Sequence, residues 1–188
     1  MYFKNSTGDP SLDFWCSALA ESLITDLHQS RHIKVLPQDR LYTILKNLDL
    51  LEVRNYTTEE LKKITSQGQT QYLLQGSFSR SGDTFRIETT LQDIKTGEII
   101  NSERVEGAGQ TSFFPMIDDL TRRIKLSFNI APSIIVADID RDIGEITTSS
   151  PEALKYYSEN TRGNNLGDHS RSISLLEKAI AVDSDFAI

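Results

Sequence analysis

Apolar residues near the start of the chain recur at intervals of three or four, which is typical of one helical face. Asp9 is a suitable N-cap for such a helix, and Pro10 fits its first turn. A face this apolar is usually covered by a sheet. The pattern therefore predicts a strand ending at residues 2–3, a turn, and one long helix. The apolar positions of that helix are Leu12, Trp15, Leu19, Leu23 and Leu27.

The following segments predict another strand and two more helices. Residues 33–36 (IKVL) form a short apolar run that Pro37 ends, which favours a buried strand. With the first strand and helix, this run would complete a right-handed βαβ unit with parallel strands. Thr57 followed by Glu60 is typical of a capping box, which predicts a short helix ending near Gly68. The helix before it has its apolar face at Leu41, Ile44, Leu45 and Leu48.

From Gln71 the period changes to two, which is typical of half-exposed antiparallel strands. Turn residues at 79–83 and 95–98 separate three strands, the last covering residues 99–105. We therefore predict a meander of two successive hairpins. Gly76 lies in mid-strand and favours either a bulge or the close approach of a helix. The alternating positions are Tyr72, Leu74, Gly76 and Phe78, then Phe85, Ile87, Thr89 and Leu91.

The last third of the chain predicts a helix, a linker and a helical hairpin. Residues 111–128 have helical spacing, and residues 129–149 have no steady period, with residues 134–136 as an attachment point. The two helices of the hairpin meet at a break around Gly167. The predicted apolar faces are Phe113, Ile117, Leu120 and Ile124, then Ala153, Leu154 and Tyr157, then Ile173, Leu176, Ala179 and Ile180.

Together these elements predict an α/β (α+β) fold class, with packed helices on a mixed sheet that ends in an antiparallel meander. We predict three parts: an α/β domain at residues 1–130, a linker at 131–149, and a helical hairpin at 150–188.

Composition and charge narrow the classes of function. The chain has 188 residues, of which 38% are hydrophobic and 25% charged, as in soluble globular proteins. No run approaches the ~18 consecutive apolar residues of a membrane span, so we expect no membrane insertion by this segment. The net charge of -7 argues against a nucleic-acid binder. We interpret the densest basic group, Arg122, Arg123 and Lys125, as a solvated helix face.

Candidate catalytic and metal-binding residues are few. Cys16 is the single cysteine, and we interpret it as a small residue in or near the core. His28 and His32 are four residues apart but lack a third metal ligand, and His169 is distant in sequence. We therefore expect no catalytic, cofactor or metal site. Two competing interpretations are a thiol or metal hydrolase using Cys16, His28 or His32, and a sensor of a small molecule.

Three further patterns are interpreted as structural. Asp138, Asp140 and Asp142 alternate as in a calcium loop, but Ile143 and Ser149 replace the Gly and Glu that the loop requires. They are interpreted as a solvated acidic linker.

Residues 5–10 resemble a phosphate-binding turn, yet they have one Gly and the negative charge of Asp9, so we predict a structural corner instead. Asn5 and Asn55 begin glycosylation triplets, of which the first fits that corner.

Residues 1–128 resemble the amino-terminal domain of TolB and its relatives, the TolB-like and FlgO-like modules. That resemblance implies a small α/β sandwich that is not an enzyme and that occurs in periplasmic proteins or beside repeats in long signalling proteins. The chain departs from TolB in lacking propeller repeats, so the role of TolB itself does not carry over. The matching motifs are residues 3–5, Gly8-Asp9-Pro10, residues 23–27, Asp39-Arg40-Leu41, Gly76-Ser77, Ser81-Gly82-Asp83, and Asp93 with Thr96-Gly97-Glu98.

Residues 149–188 resemble one tetratricopeptide repeat (TPR), through Tyr157, residues 175–180, Asp183 and the Phe186-Ala187 pair. Ser172 and Ser184 replace the usual Ala and Pro. A single repeat does not bury its own face, so we expect this chain to be part of a longer protein. Docking of Leu154, Tyr157 and Leu176 on the first domain, or on a second copy, is the alternative.

These resemblances imply a protein-binding or sensory module of a bacterial envelope or signalling protein, such as the region attached to a Ser/Thr kinase or a cyclase. Its partners would be proteins that bind the TPR groove or a sheet edge, or a second copy of the chain in a homodimer. The expected location is the periplasm, or the extracytoplasmic side of a membrane-anchored protein, with the cytoplasm as the alternative.

Overall fold

A computed structural model of the chain describes residues 3–51, 53, 56–128, 131–138, 141–165 and 169–186. A four-stranded sheet has the order β1-β2-β3-β4, and helices pack on it, as the fold class predicted. The strands are β1 (Lys4–Asn5), β2 (Tyr72–Ser81), β3 (Thr84–Asp93) and β4 (Ile99–Ala108). The helices are α1 (Trp15–His28), α2 (Gln38–Asn47), α3 (Thr58–Gly68), α4 (Phe113–Ser127), α5 (Pro132–Ala137), α6 (Ile143–Ile146), α7 (Pro151–Asn165) and α8 (His169–Val182).

The predicted meander is confirmed. β2 pairs antiparallel with β3 from Tyr72 opposite Asp93 to Ser81 opposite Thr84, and β3 pairs antiparallel with β4. The bulge lies between Leu91 and Gln92 of β3. Gly76 is not at a bulge, because it pairs in regular register with Thr89. At Gly76 the close neighbour is the ring of Phe3, since an added Cβ would lie 2.0 Å from its Cε1. The predicted close approach is therefore made by an aromatic ring, not by a helix.

The predicted strand at residues 33–36 is wrong. That segment has no regular secondary structure, and β1 pairs in parallel with β2 instead, through Lys4 opposite Ser77 and Asn5 opposite Phe78. Ile33 and Val35 are partly buried against the main core, which explains the apolar run without a strand. The first strand is also later than predicted, because Phe3 precedes it and Tyr2 lies outside the described residues.

The main core lies between one face of the sheet and the helices α1 and α4. Trp15 stacks on Phe113 with ring centroids 4.0 Å apart, and Phe113 also contacts Phe78 and Phe85 from the sheet. The predicted long first helix is divided: a 3-10 turn at Pro10–Leu12, capped by Asp9, precedes α1. The predicted apolar residues of both helices are buried: Leu12, Trp15, Leu19, Leu23 and Leu27, then Phe113, Ile117, Leu120 and Ile124.

A second, smaller core joins α2 and α3. Ile44, Leu45, Leu50 and Ile64 are its buried members. The predicted capping box is confirmed: the Glu60 N–H donates to Thr57 Oγ1 at 3.3 Å, and the Thr57 N–H donates to Glu60 Oε2 at 2.7 Å. The helix it begins ends at Gly68, as predicted.

The segment predicted as a linker contains the two short helices α5 and α6. Ile143 of α6 is fully buried in the main core, together with Leu154 of α7. The α7–α8 hairpin therefore packs on the α/β part through α7. The three-part division of the chain stays a prediction.

Candidate protein-binding surfaces

Two of the residues considered for hydrolase chemistry, Cys16 and His28, lie at opposite ends of α1. Cys16 is half-buried in the second residue of α1, and its carbonyl accepts from the Phe3 N–H at 2.9 Å. His28 is exposed at the end of the same helix, roughly 18 Å further along at 1.5 Å per residue. His32 and His169 are exposed in other elements. Within the described residues, no three potential metal ligands come together.

The basic group on α4 is not uniformly solvated, contrary to our interpretation. Lys125 is fully buried, and its Nζ lies 4.0 Å from the buried Oδ2 of Asp138. Arg122 is exposed, and Arg123 pairs with Asp119 at 2.7 Å. Sequence spacing did not show this, because Asp138, whose buried carboxylate lies near Lys125 Nζ, comes after the helix.

Asp138 anchors the segment after α5 to the main body of the protein. Burial by itself would raise the pKa of Asp138, but the Ser30 hydroxyl, the Arg31 N–H and the charge of Lys125 outweigh it and lower that pKa. Asp138 is thus not part of a solvated linker. Asp142 is exposed just before α6, and Asp140 lies outside the described residues.

The turn at residues 5–10 is the predicted structural corner. The Asn5 side chain donates to the Asp9 carbonyl at 2.9 Å and to Asp13 at 2.7 Å, and it accepts from the Thr7 N–H at 2.9 Å. Hydrogen bonds from the side chain and N–H of Ser11 lower the pKa of Asp9. The polar groups are thus engaged within the corner. Asn55, the other glycosylation candidate, lies outside the described residues.

Glu21 is a buried titratable residue that sequence reasoning missed. Its carboxylate accepts from Gln38 Nε2 at 2.8 Å and from the Ser158 hydroxyl of α7 at 3.3 Å. Burial raises the pKa of Glu21 to about 7, despite these two hydrogen bonds. Glu21 stands between Ala20 and Ser22, so nothing in the local sequence distinguished it from a solvated glutamate.

Two open depressions lie on the surface of α4. One, of ≈ 260 Å³, is lined by Asp118, Asp119, Arg122 and Arg141 among others, and the other, of ≈ 310 Å³, lies between α4 and β4. In the first, Asp118 accepts from the Ile143 N–H at 2.8 Å, and Asp119 pairs with Arg122. Because these polar groups already bind one another, the first depression does not offer the convergent polar pocket expected of a small-molecule sensor.

The edge strand β4 is open along most of its outer side, where the Ser102 N–H donates to Asn101 Oδ1 at 2.8 Å. Among the described residues, no strand pairs with that side, and the strand has ten residues and no proline. The Gly109 N–H donates to the Asp83 carbonyl at 2.9 Å. This bond shows which residues of β4 direct their backbone groups towards β3, because hydrogen-bonded and non-hydrogen-bonded pairs alternate along the strands. By that alternation, residues 103, 105 and 107 direct their backbone groups towards β3, and residues 102, 104, 106 and 108 direct theirs outward.

The hairpin helix α8 has an exposed apolar stripe. Its members Ile173 and Ile180 are seven residues apart on one side of the helix and are 59% and 55% exposed. The predicted face of this helix is therefore wrong in part: Ser172, Leu175 and Ala179 are its buried residues. The predicted face of α7 is buried at Ala153 and Leu154, and the Tyr157 ring packs against Phe186 at 5.5 Å.

None of the helices in the described ranges is long and apolar enough to serve as a membrane span. No protein-family model matches the chain. A curated protein, "Putative adenylate cyclase 3" from Rhizobium meliloti (strain 1021), is 25% identical to it over 122 residues, which are 65% of this chain. The chain spans only 19% of the length of that relative.

The similar solved structures include the LpoB C-terminal domain and TolB. The LpoB C-terminal domain from Escherichia coli has a TM-score of 0.46 and 19% identity, covering 57% of this chain and 78% of that domain. The same domain from Salmonella enterica has a TM-score of 0.45 and 20% identity, with the same coverage of both chains. TolB from Acinetobacter baumannii has a TM-score of 0.40 and 11% identity, covering 67% of this chain and 27% of that protein.

Proposed function

We propose that this chain is a non-catalytic, protein-binding module of a bacterial envelope or signalling protein, and that α8 carries its contact surface. The exposed apolar stripe is the observation that supports this most. Ile173 and Ile180 leave most of their side-chain surface in water, and a partner that covers them would gain roughly 25 cal/mol per Å² of apolar area.

The stripe fits a partner helix that has an apolar face of its own. Ile173 and Ile180 are seven residues apart, which is roughly 10.5 Å along a helix axis. Anchors at this spacing are used when an amphipathic helix lies in a groove. The other side of α8 is already packed, because Leu175 and Ala179 are buried. The resemblance of the hairpin to a tetratricopeptide repeat is in keeping with such a contact.

We place the module in the regulatory part of a longer protein. The chain spans about a fifth of its matched cyclase relative, and both resemblances occur in proteins with several domains. A cyclase or a Ser/Thr kinase is the proposed context, and the extracytoplasmic side of a membrane is the proposed location.

Site-specific photo-crosslinking in cells that make the full-length protein tests the contact. Benzoylphenylalanine at position 173 or 180 should give one discrete adduct, identified by mass spectrometry. The same probe at Ser174, an exposed neighbour off the stripe, is the matched control. We expect Ile180→Glu to remove the adduct formed from position 173. Equal adducts from positions 173 and 174, or none from 173 and 180, would contradict the proposal.

The location is tested separately. In a Cys16→Ser background, Ser174→Cys adds an exposed thiol to the module, and the same protein without Ser174→Cys is the control. Labelling by a membrane-impermeant maleimide after the outer membrane is permeabilised supports the periplasm. Labelling only after lysis would place the module in the cytoplasm.

A further inference from the structure

The open edge of β4 is complementary to the same edge of a second copy. We propose that two copies of this chain form a dimer by antiparallel pairing of their β4 strands, which joins two four-stranded sheets into one. The contact uses a different surface from the α8 stripe. It therefore goes beyond the proposed function, and neither depends on the other.

The geometry of a continuous sheet limits how the two strands pair. A two-fold axis perpendicular to the sheet keeps the helices of both copies on one side, so opposed residues must share a face. Residues 102, 104, 106 and 108 direct their backbone groups outward, so they must lie opposite one another. These conditions require the two-fold axis to pass beside a residue that lies opposite its own copy. In the charged part of the strand that residue can be 103, 104, 105 or 106, which gives four registers.

Charge selects one of these four registers. An axis at Glu103, Arg104 or Glu106 places that residue opposite its own copy, and like charges directly opposite each other are destabilising. An axis at Val105 places this uncharged residue opposite itself. It also places Arg104 of each copy opposite Glu106 of the other. The strand thus makes two new ion pairs in this register, and Ser102 lies opposite Ala108 at each end.

The side chains that form the new pairs are available. Val105 faces the helices, so Arg104 and Glu106 lie on the opposite face of the sheet, where their side chains are 62% and 42% exposed. Within one copy, Glu106 Oε1 accepts from Arg86 at 2.8 Å and lies 3.8 Å from Arg104 Nε. The second carboxylate oxygen of Glu106 has no such ion pair in the contacts described, so it can accept from the other copy's Arg104 without loss of the Arg86 pair.

Sedimentation equilibrium of the full 188-residue chain tests the pairing. Arg104→Glu and Glu106→Arg each place like charges opposite one another twice, and each should weaken dimerisation roughly tenfold or more. A 1:1 mixture of the two variants should form a heterodimer, because Glu at 104 then faces Arg at 106 and Arg104 faces Glu106. Circular dichroism confirms that each variant is folded.

A wild-type chain that stays monomeric at all concentrations would overturn the proposal. So would folded single variants that dimerise as well as the wild type, or a mixture that does not restore the dimer.

Cysteine cross-linking tests the register independently of charge. In a Cys16→Ser background, Val105→Cys should form a disulfide with its own copy, because opposed residues at a non-hydrogen-bonded position have Cβ atoms about 4.5–5.5 Å apart. Glu103→Cys, Arg104→Cys and Glu106→Cys report the other three registers and should link more slowly. Faster linkage at one of those positions would overturn the register, and linkage at none would overturn the pairing. Crosslinks from α8 are unaffected by either result, so the two proposals fail separately.

Discussion

The helices α4 and α8 have similar apolar spacing but different surroundings. In α4 the residues Phe113, Ile117 and Leu120 are fully buried, whereas Ile173 and Ile180 of α8 are more than half exposed. α4 packs against both the sheet and α1, so its stripe is covered. α8 lies in an outer layer and contacts α7, which in turn packs on α1. Periodicity therefore identifies an apolar face, and the topology decides whether anything covers it.

The largest expected difference between the two helices comes from matched isoleucine substitutions. Ile117→Ala removes buried methyl groups and leaves a cavity, so it should lower the free energy of unfolding by about 2–5 kcal/mol. Ile173→Ala should change it by less than about 0.5 kcal/mol, because the side chain is already exposed. Urea denaturation of both variants measures the difference. Equal losses would show that α8 is covered in solution.

Glu21 lies where the hairpin meets α1, and it gives that contact a pH dependence. The pKa of Glu21 is about 7 in the fold and 4.5 as the reference value. Below pH 4.5 both states are protonated, and Glu21 has no effect on stability. Between pH 4.5 and 7 the unfolded chain ionises first, so the free energy of unfolding falls as pH rises. Above pH 7 the loss is complete, and it amounts to about 3 kcal/mol.

Glu21→Gln should therefore stabilise the protein by up to about 3 kcal/mol at pH 8 and have little effect at pH 4.5. The glutamine keeps an acceptor for Gln38, and its amide donates to the Ser158 hydroxyl. Denaturation at both pH values measures the change. Glu59→Gln, at an exposed glutamate of α3, is the control. An equal effect of Glu21→Gln at both pH values would contradict the burial of this carboxylate.

Substitution of Gly76 tests how closely β2 is packed against the neighbouring Phe3 ring. Gly76→Ala forces its new methyl group against the ring of Phe3, and it should destabilise the fold by about 1–3 kcal/mol. Gly144→Ala is the control, because its Cβ would have its nearest neighbour at 3.6 Å. Thermal unfolding of the two variants is the measurement. If they unfold at the same temperature, Phe3 does not occupy this position in solution.

The smallest effect is expected in α3, which packs in the second core and contributes to neither α4 nor α8. Thr57→Ala removes the N-cap oxygen that accepts from the Glu60 N–H, and it should lower stability by about 1 kcal/mol. Thr58→Ala, one residue into the helix, should change stability much less. Urea denaturation distinguishes them, and equal effects would indicate that the capping box contributes no stability.

The meander, the capping box and the faces of α1 and α4 were predictable, because each depends on residues close together in sequence. The strand at residues 33–36 was not, since an apolar run indicates burial but does not identify a hydrogen-bonding partner. β2 takes the place beside β1 that this run was expected to fill.

The candidate surfaces were less predictable. A long open edge followed from the meander, but its outward backbone pattern required the register. The buried face of α8 was predicted only in part, because Leu175 and Ile173 are equally apolar and the sequence does not show which side α7 covers. Burial of Lys125 and Glu21 depends on residues 138 and 158, which lie far away in sequence.

The parallel pair between β1 and β2 has a consequence for the order of folding. The pairings among β2, β3 and β4 join strands that are close in sequence and close short loops. Lys4 and Ser77, in contrast, are separated in sequence by the three helices α1, α2 and α3. Closing that long loop requires a larger loss of chain entropy before any contact compensates for it. We therefore expect the meander to form early and β1 to dock late. Pulsed hydrogen exchange during refolding would then show protection of β3 amides before the Ser6 amide, which donates to the Phe78 carbonyl.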